Sequence, residues 1–218
     1  LVEESISIAF ITAMKARFAE MYGDEEATQL TSDQRSHIVN DHHFQRVVGL
    51  IEDAVAKGAH VAHGGTWDKE TRRIAPTILE NVTLGMKVMQ EEIFGPVLPV
   101  MTWREPQEVQ RIVHANPHPL AMYFFSKNDP QIAEWMRTIP AGTTGINEVV
   151  LHVANPNLPF GGIQTSGMGR TGGLAGFEAF SNMRSVLKQT SRFNVLPLTF
   201  PPFNGMSLSL ARVVQRWL

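Results

Sequence analysis

A short run at residues 91–97 places two carboxylates beside an aromatic ring and a rigid turn: it reads Glu91-Glu92-Ile93-Phe94-Gly95-Pro96-Val97. Adjacent side chains point apart on a helix or a strand, so Glu91 and Glu92 cannot readily share one substrate atom. Glu92 and Phe94 share a face if the segment is extended, and such a pair can bind a sugar diol and cover a flat ring. The alternative interpretation is a solvated bend, in which Gly95 and Pro96 simply turn the chain.

The chain contains no cysteine. Disulfides, thiolate zinc sites and a cysteine nucleophile are therefore excluded from these 218 residues. Among the histidines, His114 and His118 have the i, i+4 spacing of a helical metal pair, but Pro117 breaks the helix that would align them. The sequence therefore predicts no metal site.

Residues 167–172 satisfy the G-x-G-x-x-G pattern through Gly167, Gly169 and Gly172. A dinucleotide-binding loop needs a strand before this pattern and an acid about 20 residues after it. Loop-forming residues precede it here, and residues 186–191 contain no Asp or Glu. The pattern therefore favours a tight structural loop. A serine hydrolase is disfavoured too, because Ser166 lacks the leading glycine of a nucleophile elbow.

The composition is that of an ordinary globular protein, with 43% hydrophobic and 18% charged residues. A net charge of -2 gives no electrostatic reason to expect a nucleic-acid or anionic membrane partner. No apolar run approaches the roughly 20 residues of a transmembrane helix. The first residues carry acids where a signal peptide carries bases. We expect a cytoplasmic protein, since a chain without cysteine fits a reducing compartment.

Hydrophobic periodicity predicts strands that alternate with helices of about ten residues, which is typical of an α/β domain with a largely parallel sheet flanked by helices. Helices are predicted over residues 1–21, 41–56, 105–115 and 131–138, a short helix through Phe177 and Phe180, and an amphipathic end over 207–218. Strands are predicted over residues 59–63, 73–79, 121–126 and 142–150, an extended segment over 94–103, and a last strand over 183–188. Residues 24–37 are polar and are predicted to form turns.

Taken in order, these motifs resemble the aldehyde dehydrogenase family. Residues 91–97 resemble its cofactor-contacting motif, and the resemblance covers nearly the whole chain. The other matching segments are residues 74–79, 119–126, 145–147, 159–162, 166–170 and 177–181. The run His43-Phe44-Gln45-Arg46, His152 ahead of Pro159-Phe160, and the Pro201-Pro202-Phe203 tail resemble most the class 3 and coniferyl-aldehyde branch.

The resemblance implies a role for each matching residue. Glu92 corresponds to the glutamate that binds the nicotinamide ribose hydroxyls, and Phe94 to the aromatic beside the nicotinamide. Asn147, His152 and Phe160 are implied to lie at the substrate pocket. The implied reaction is NAD(P)-dependent oxidation of an aldehyde to a carboxylic acid through a cysteine thioester.

The family's cysteine and nucleotide-binding half match positions before Leu1. We therefore expect residues 1–181 to be the C-terminal part of the catalytic domain, and 182–218 to be an oligomerisation strand and tail. Such a chain should not oxidise aldehydes by itself, and it should associate with copies of itself because it would expose apolar surface. The alternative is a non-catalytic assembly module of the same fold that binds a partner subunit through residues 183–188.

Overall fold

The computed structural model describes residues 1–190, 201 and 205–216, which form two compact units, Leu1–Ala179 and Phe180–Leu218. The helices are α1 Ser7–Tyr22, α2 Glu26–Thr31, α3 Asp41–Ala56, α4 Pro106–Ala115, α5 Asp129–Thr138, α6 Leu151–Ala154, α7 Gly173–Ala179 and, in the second unit, α8 Gly205–Gln215. The strands are β1 Val2–Glu3, β2 His60–His63, β3 Trp67–Asp68, β4 Arg73–Ile74, β5 Thr77–Glu80, β6 Val97–Pro99, β7 Thr102–Trp103, β8 Ala121–Phe124 and β9 Thr143–Ile146. Short 3-10 turns occur at Glu4–Ile6, Lys87–Met89 and Gln164–Ser166.

Parallel pairing links β1 with β7, β5 with β6, and β8 with β9. Antiparallel pairing links β2 with β5 and β3 with β4. The helix α5 lies between β8 and β9 along the chain, as a parallel crossover requires. The predicted α/β class with a largely parallel sheet is confirmed, with β2 added antiparallel at one edge.

The main core forms between α3 and the sheet of β2, β5 and β6. Asn40 caps the N-terminus of α3, because its side chain accepts a hydrogen bond from the His43 N–H at 2.9 Å. The helix ends where Gly58, just past the last turn, adopts a left-handed backbone conformation with φ 99°. The apolar face of α3 is buried except at Val55 in the last turn, which is 46% exposed. Its largest contributions come from Phe44, Val47, Leu50, Ile51 and Ala54.

A second core joins α4 and α5 to the β8–β9 layer. Trp135 stacks on Phe124 with ring centroids 5.7 Å apart and meets the edge of Trp103 at 5.6 Å. Its indole N–H donates to the Pro106 carbonyl at 3.3 Å. This packing fixes β8, the strand that leads to the predicted pocket residues.

Several predicted elements differ in the structure. The first helix begins at Ser7 because Val2 and Glu3 pair with β7 as a short strand. Residues 26–31 form a helix in the region predicted as turns. The predicted strand at 73–79 divides into β4 and β5, where Pro76 cannot donate a ladder hydrogen bond.

Residues 183–188 form no strand in the described part of the chain, so that prediction is wrong for this chain alone. A strand requires a neighbour for its backbone groups, and Met183, Val186 and Leu187 are instead 77–99% exposed. The predicted C-terminal helix is present as α8. Residues 191–200, 202–204 and 217–218 of the predicted tail lie outside the described residues.

None of the helices in the described part of the chain has the length and apolar run that crossing a bilayer requires.

A buried polar group joins α2 to β2. His63 is 8% exposed and its Nε2 lies 2.7 Å from Gln29 Oε1. The Gln29 amide nitrogen already donates to the Gly23 carbonyl at 2.9 Å, so His63 must carry its proton on Nε2. Its Nδ1 lies 3.3 Å from a Glu26 carboxylate oxygen. Burial lowers the pKa of His63, and the Glu26 carboxylate opposes that shift.

This histidine should make stability depend on pH. The unfolded chain binds the His63 proton more readily than the folded chain, so its stabilising effect is present above about pH 6.5 and falls as the pH drops below that value. A His63→Gln variant keeps an N–H for Gln29 and cannot titrate. Urea unfolding should therefore show a smaller loss of stability between about pH 7.5 and 5.5 in the variant than in the wild type. Equal losses would contradict this assignment.

Candidate cofactor and substrate site

The run that contains Glu92 and Phe94 forms the irregular connection into β6 and rests on α3. The Arg46 guanidinium donates to the carbonyl oxygens of Glu92 and Ile93, each at 2.7 Å. Gly95 lies so close to α3 that a Cβ there would stand 2.8 Å from a Val47 methyl carbon. The helix therefore fixes the backbone on both sides of Phe94.

The Glu92 carboxylate is exposed, and among the described residues none donates a hydrogen bond to it. Phe94 is 81% exposed and adopts φ 45°, an unusual conformation for a bulky side chain. The run is therefore not extended, and the strand alternation that would place both side chains on one face does not apply. The turn itself presents them. Holding an aromatic residue in this region costs about 1–3 kcal/mol, which the surrounding structure must supply.

The chemistry of these two residues suits a ligand that carries a sugar diol and a flat ring. A free carboxylate on a fixed backbone can accept hydrogen bonds from two vicinal hydroxyls. An exposed ring on the same rigid turn offers an apolar surface for a flat heterocycle. Glu91, the neighbouring acid, is exposed as well, and it follows a turn of 3-10 helix at Lys87–Met89.

A second cluster gathers two of the predicted pocket residues. The His152 ring lies 5.8 Å from the Phe160 ring and 5.7 Å from the Tyr123 ring. Its Nε2 lies 3.1 Å from the Thr143 hydroxyl. Phe160 is held by paired backbone hydrogen bonds with Thr171 at 2.9 and 2.7 Å. These rings form a half-buried aromatic wall at the β8–β9 pair.

Asn147 is not part of that wall, and its side-chain amide is hydrogen-bonded to the backbone. Its side chain accepts from the Ser126 N–H and donates to the Ser126 carbonyl, both at 3.0 Å. Its own N–H donates to the Phe124 carbonyl at 2.7 Å. Asn147 thus closes the end of the β8–β9 pair in the left-handed conformation, φ 54°. The structure supports a structural role for its amide; a substrate contact stays a prediction.

The glycine-rich loop at 161–173 is built by close backbone approach. A Cβ at Gly162 would stand 2.0 Å from the Ser166 carbonyl oxygen, and one at Gly161 would stand 2.4 Å from the Gly169 carbonyl oxygen. A 3-10 turn precedes Gly167, and the seven-residue α7 follows Gly172. This is not the strand–loop–helix setting of a dinucleotide cradle, so the G-x-G-x-x-G pattern here has a structural explanation.

Sequence reasoning missed the contributions of Arg46, Tyr123 and Thr143. Tyr123 could have been found, because it pairs in register with Gly145, whose missing side chain leaves room for the ring. Thr143 follows from the same register. Arg46 carries no such signal, since 46 residues separate it from Glu92.

Adding a methyl group at Gly95 tests whether the loop must lie against α3. A Gly95→Ala variant should be destabilised by about 1–3 kcal/mol, because Val47 is fully buried and cannot move away freely. Gly49→Ala is the matched control: its Cβ meets nothing within 4 Å, and alanine favours the helix. Chemical denaturation measures both variants. A Gly95→Ala protein as stable as the control would show that the loop does not need this contact.

Asn147 can be tested against a second asparagine with the same backbone angle. Asn147→Ala loses two side-chain hydrogen bonds and should cost about 1–3 kcal/mol beyond the cost of φ 54°. Asn81 adopts φ 55°, and its side chain makes no hydrogen bond to a described residue, so Asn81→Ala measures the backbone cost alone. Thermal denaturation should show the larger loss for Asn147→Ala. Equal losses would argue against the amide clamp on Ser126.

Comparison with known proteins gives a consistent result. Residues 1–186 match the aldehyde dehydrogenase family. The dimeric NADP-preferring aldehyde dehydrogenase of Mus musculus is 42% identical over 192 residues, covering 88% of this chain and 41% of that protein. Aldehyde dehydrogenase family 3 member H1 of Arabidopsis thaliana is 36% identical over 204 residues, covering 94% of this chain and 41% of that protein.

Solved structures agree with the sequence relatives. The substrate-bound state of Staphylococcus aureus AldH superposes with a TM-score of 0.81 at 34% identity, covering 98% of this chain and 45% of that chain. The Mycobacterium tuberculosis aldehyde dehydrogenase complexed with NAD+ gives 0.73 at 27% identity, covering 88% of this chain and 40% of that chain. The chain therefore spans about two fifths of these relatives' length, and it belongs to the aldehyde dehydrogenase family, with relatives in the class 3 branch.

Proposed function

We propose that this chain is the part of an NAD(P)-dependent aldehyde dehydrogenase that holds the nicotinamide riboside and one wall of the aldehyde pocket. The observation that carries the proposal is the rigid presentation of a free Glu92 carboxylate and an exposed Phe94 ring by one turn. Relatives named above are NADP-preferring or bind NAD+, so the proposal covers both cofactors.

Each residue has a chemical task in this proposal. Glu92 accepts hydrogen bonds from the ribose hydroxyls and so fixes the position of the ring attached to that sugar. Phe94 covers the ring and excludes water from it. The bound cofactor supplies hydride acceptance, which no side chain can provide. The wall of Tyr123, His152 and Phe160 contacts the organic part of the aldehyde.

The nucleophile must come from outside these 218 residues, because none of them is cysteine. The proposed thiolate attacks the aldehyde carbon, and the thioester formed after hydride loss is hydrolysed to the acid. The chain alone then has no covalent route to oxidation. In this proposal the chain orients the cofactor and the aldehyde, and the covalent step takes place on the residues that carry the thiol.

The proposal includes association with a second copy of the chain. The Mus musculus relative is named as dimeric. Met183, Val186 and Leu187 are 83%, 77% and 99% exposed, a concentration of apolar surface that association would cover. The same surface favours the alternative of a non-catalytic assembly module that binds a partner subunit.

Substitution of Glu92 tests the catalytic proposal and separates it from the assembly module. In the enzyme that contains the cysteine-bearing part, Glu92→Gln should raise the KM for NAD(P)+ by about 10- to 100-fold, because it weakens hydrogen bonds to a charged acceptor. Glu91→Gln is the matched control and should change the KM by less than about twofold. The 218-residue chain assayed alone is the blank and should show no NAD(P)+-dependent oxidation.

Equal KM values for the two variants would overturn the role of Glu92. Turnover by the chain alone would overturn the assignment of the nucleophile. An assembly module predicts that neither substitution affects the enzyme and that removal of residues 183–188 abolishes partner binding.

A further inference from the structure

We infer that Arg46 is a positioning residue for cofactor binding: its guanidinium sets the place of Glu92 and Phe94 through their backbone, without itself contacting the cofactor. The inference rests on the proposed function and adds a residue to it. It begins from the two 2.7 Å hydrogen bonds that Arg46 donates to the carbonyl oxygens of Glu92 and Ile93.

These two carbonyls belong to consecutive peptide groups. The Glu92 carbonyl lies in the planar peptide that joins Glu92 to Ile93, and the Ile93 carbonyl lies in the peptide that joins Ile93 to Phe94. A guanidinium is a planar fork with fixed N–H directions, so bonding to both carbonyls fixes the orientation of both peptide planes. The direction in which the Glu92 side chain leaves the backbone follows from the first plane. The direction at Phe94 follows from the second.

Arg46 is the first of three polar side chains, two on α3 and one just past its end, that hold the segment before β6. An Asp53 carboxylate oxygen accepts from the Lys87 N–H at 2.8 Å, and Lys57 Nζ donates to the Gly85 carbonyl at 2.9 Å. The spacing of seven and then four residues places all three on the same side of the helix. Hydrogen bonding to the Lys87 N–H and to Lys57 lowers the pKa of Asp53, so it stays ionised in this role.

The contacts of Asp53 and Lys57 reach residues 85–87, whereas Arg46 reaches the functional residues themselves. The strained backbone of Phe94, with φ 45°, lies directly after the second carbonyl that Arg46 holds. Such a conformation persists only where its surroundings fix it. Arg46 on one side and the close contact of Gly95 with Val47 on the other provide that restraint.

Arg46 is not among the buried core residues of α3. The helix is anchored by Phe44, Val47 and Ile51, which are at most 2% exposed, whereas Arg46 is only half-buried at the edge of α3. Loss of its guanidinium should therefore loosen the turn at 92–94 and leave the core in place. A residue that acts in this way changes cofactor affinity more than stability.

The test is a double-mutant cycle in the enzyme that contains the cysteine-bearing part. Arg46→Ala should raise the KM for NAD(P)+ about tenfold with kcat changed less than about threefold, and Arg46→Lys should restore part of the affinity, since an ammonium still donates but lacks the planar fork. In the Glu92→Gln background, Arg46→Ala should raise the KM by no more than about threefold, because the part of its effect that acts through Glu92 is already lost and only the part that acts through Phe94 remains. Lys57→Ala is the control, with a KM within about twofold of the wild type.

Full additivity of Arg46→Ala and Glu92→Gln would overturn the inference, because it would show that Arg46 acts independently of Glu92. A KM for Arg46→Ala equal to that of Lys57→Ala would overturn it as well, since Arg46 would then affect cofactor binding no more than a residue that holds only residues 85–87. If Glu92→Gln itself has no effect, the proposed function fails. If Glu92→Gln raises the KM and Arg46→Ala does not, the positioning role alone fails.

A second measurement uses the 218-residue chain directly. Chymotrypsin cleavage after Phe94, identified by fragment mass, should be at least about fivefold faster in Arg46→Ala than in the wild type or Lys57→Ala, with unchanged far-UV circular dichroism. Unchanged cleavage at Phe94 would show that the turn does not need Arg46 and would overturn the inference independently of any activity assay.

Discussion

Burial of α3 against β5 and β6 is the constraint on which the candidate site depends. The apolar face of the helix supplies six of the thirteen buried residues of the main core, and its polar edge holds the backbone that leads into β6. The same sixteen-residue helix therefore stabilises the core through Phe44, Val47 and Ile51. It also holds the backbone of Glu92 and Ile93 through Arg46. A shift of this helix would move Glu92 and Phe94 with it, because Gly95 already lies in contact with Val47.

The two parts of the site are built in different ways. Glu92 and Phe94 are presented by a strained turn with few side-chain contacts, which leaves them free for a ligand. The wall of Tyr123, His152 and Phe160 is instead packed ring against ring and secured by the Thr143 hydroxyl and the Thr171 backbone. A free carboxylate suits recognition of hydroxyl groups, and packed rings suit an apolar substrate surface.

Much of this could be predicted from the sequence where local physics decides the outcome. The helix predicted over residues 41–56 matches α3, because its apolar stripe and the glycine that follows it are both local signals. The division at Pro76 was missed although the proline itself is a local signal for it. The short strand at 2–3 and the helix at 26–31 were missed, because their partners, β7 and His63, are distant in the chain. Arg46 was missed for the same reason, since its role lies in a contact 46 residues away. The strand expected at 183–188 lacks a partner within the described chain, so local periodicity could not determine its pairing.

In the proposed function, the turn at 92–94 receives the nicotinamide riboside. A crystal structure of the cysteine-containing enzyme with NAD(P)+ bound would show whether it does. We expect Glu92 carboxylate oxygens within about 3 Å of both hydroxyls of the nicotinamide ribose, with the Phe94 ring against the nicotinamide and the Arg46 guanidinium still bonded to the two carbonyls. A bound cofactor whose ribose hydroxyls are held by other residues, with Glu92 facing solvent, would contradict it.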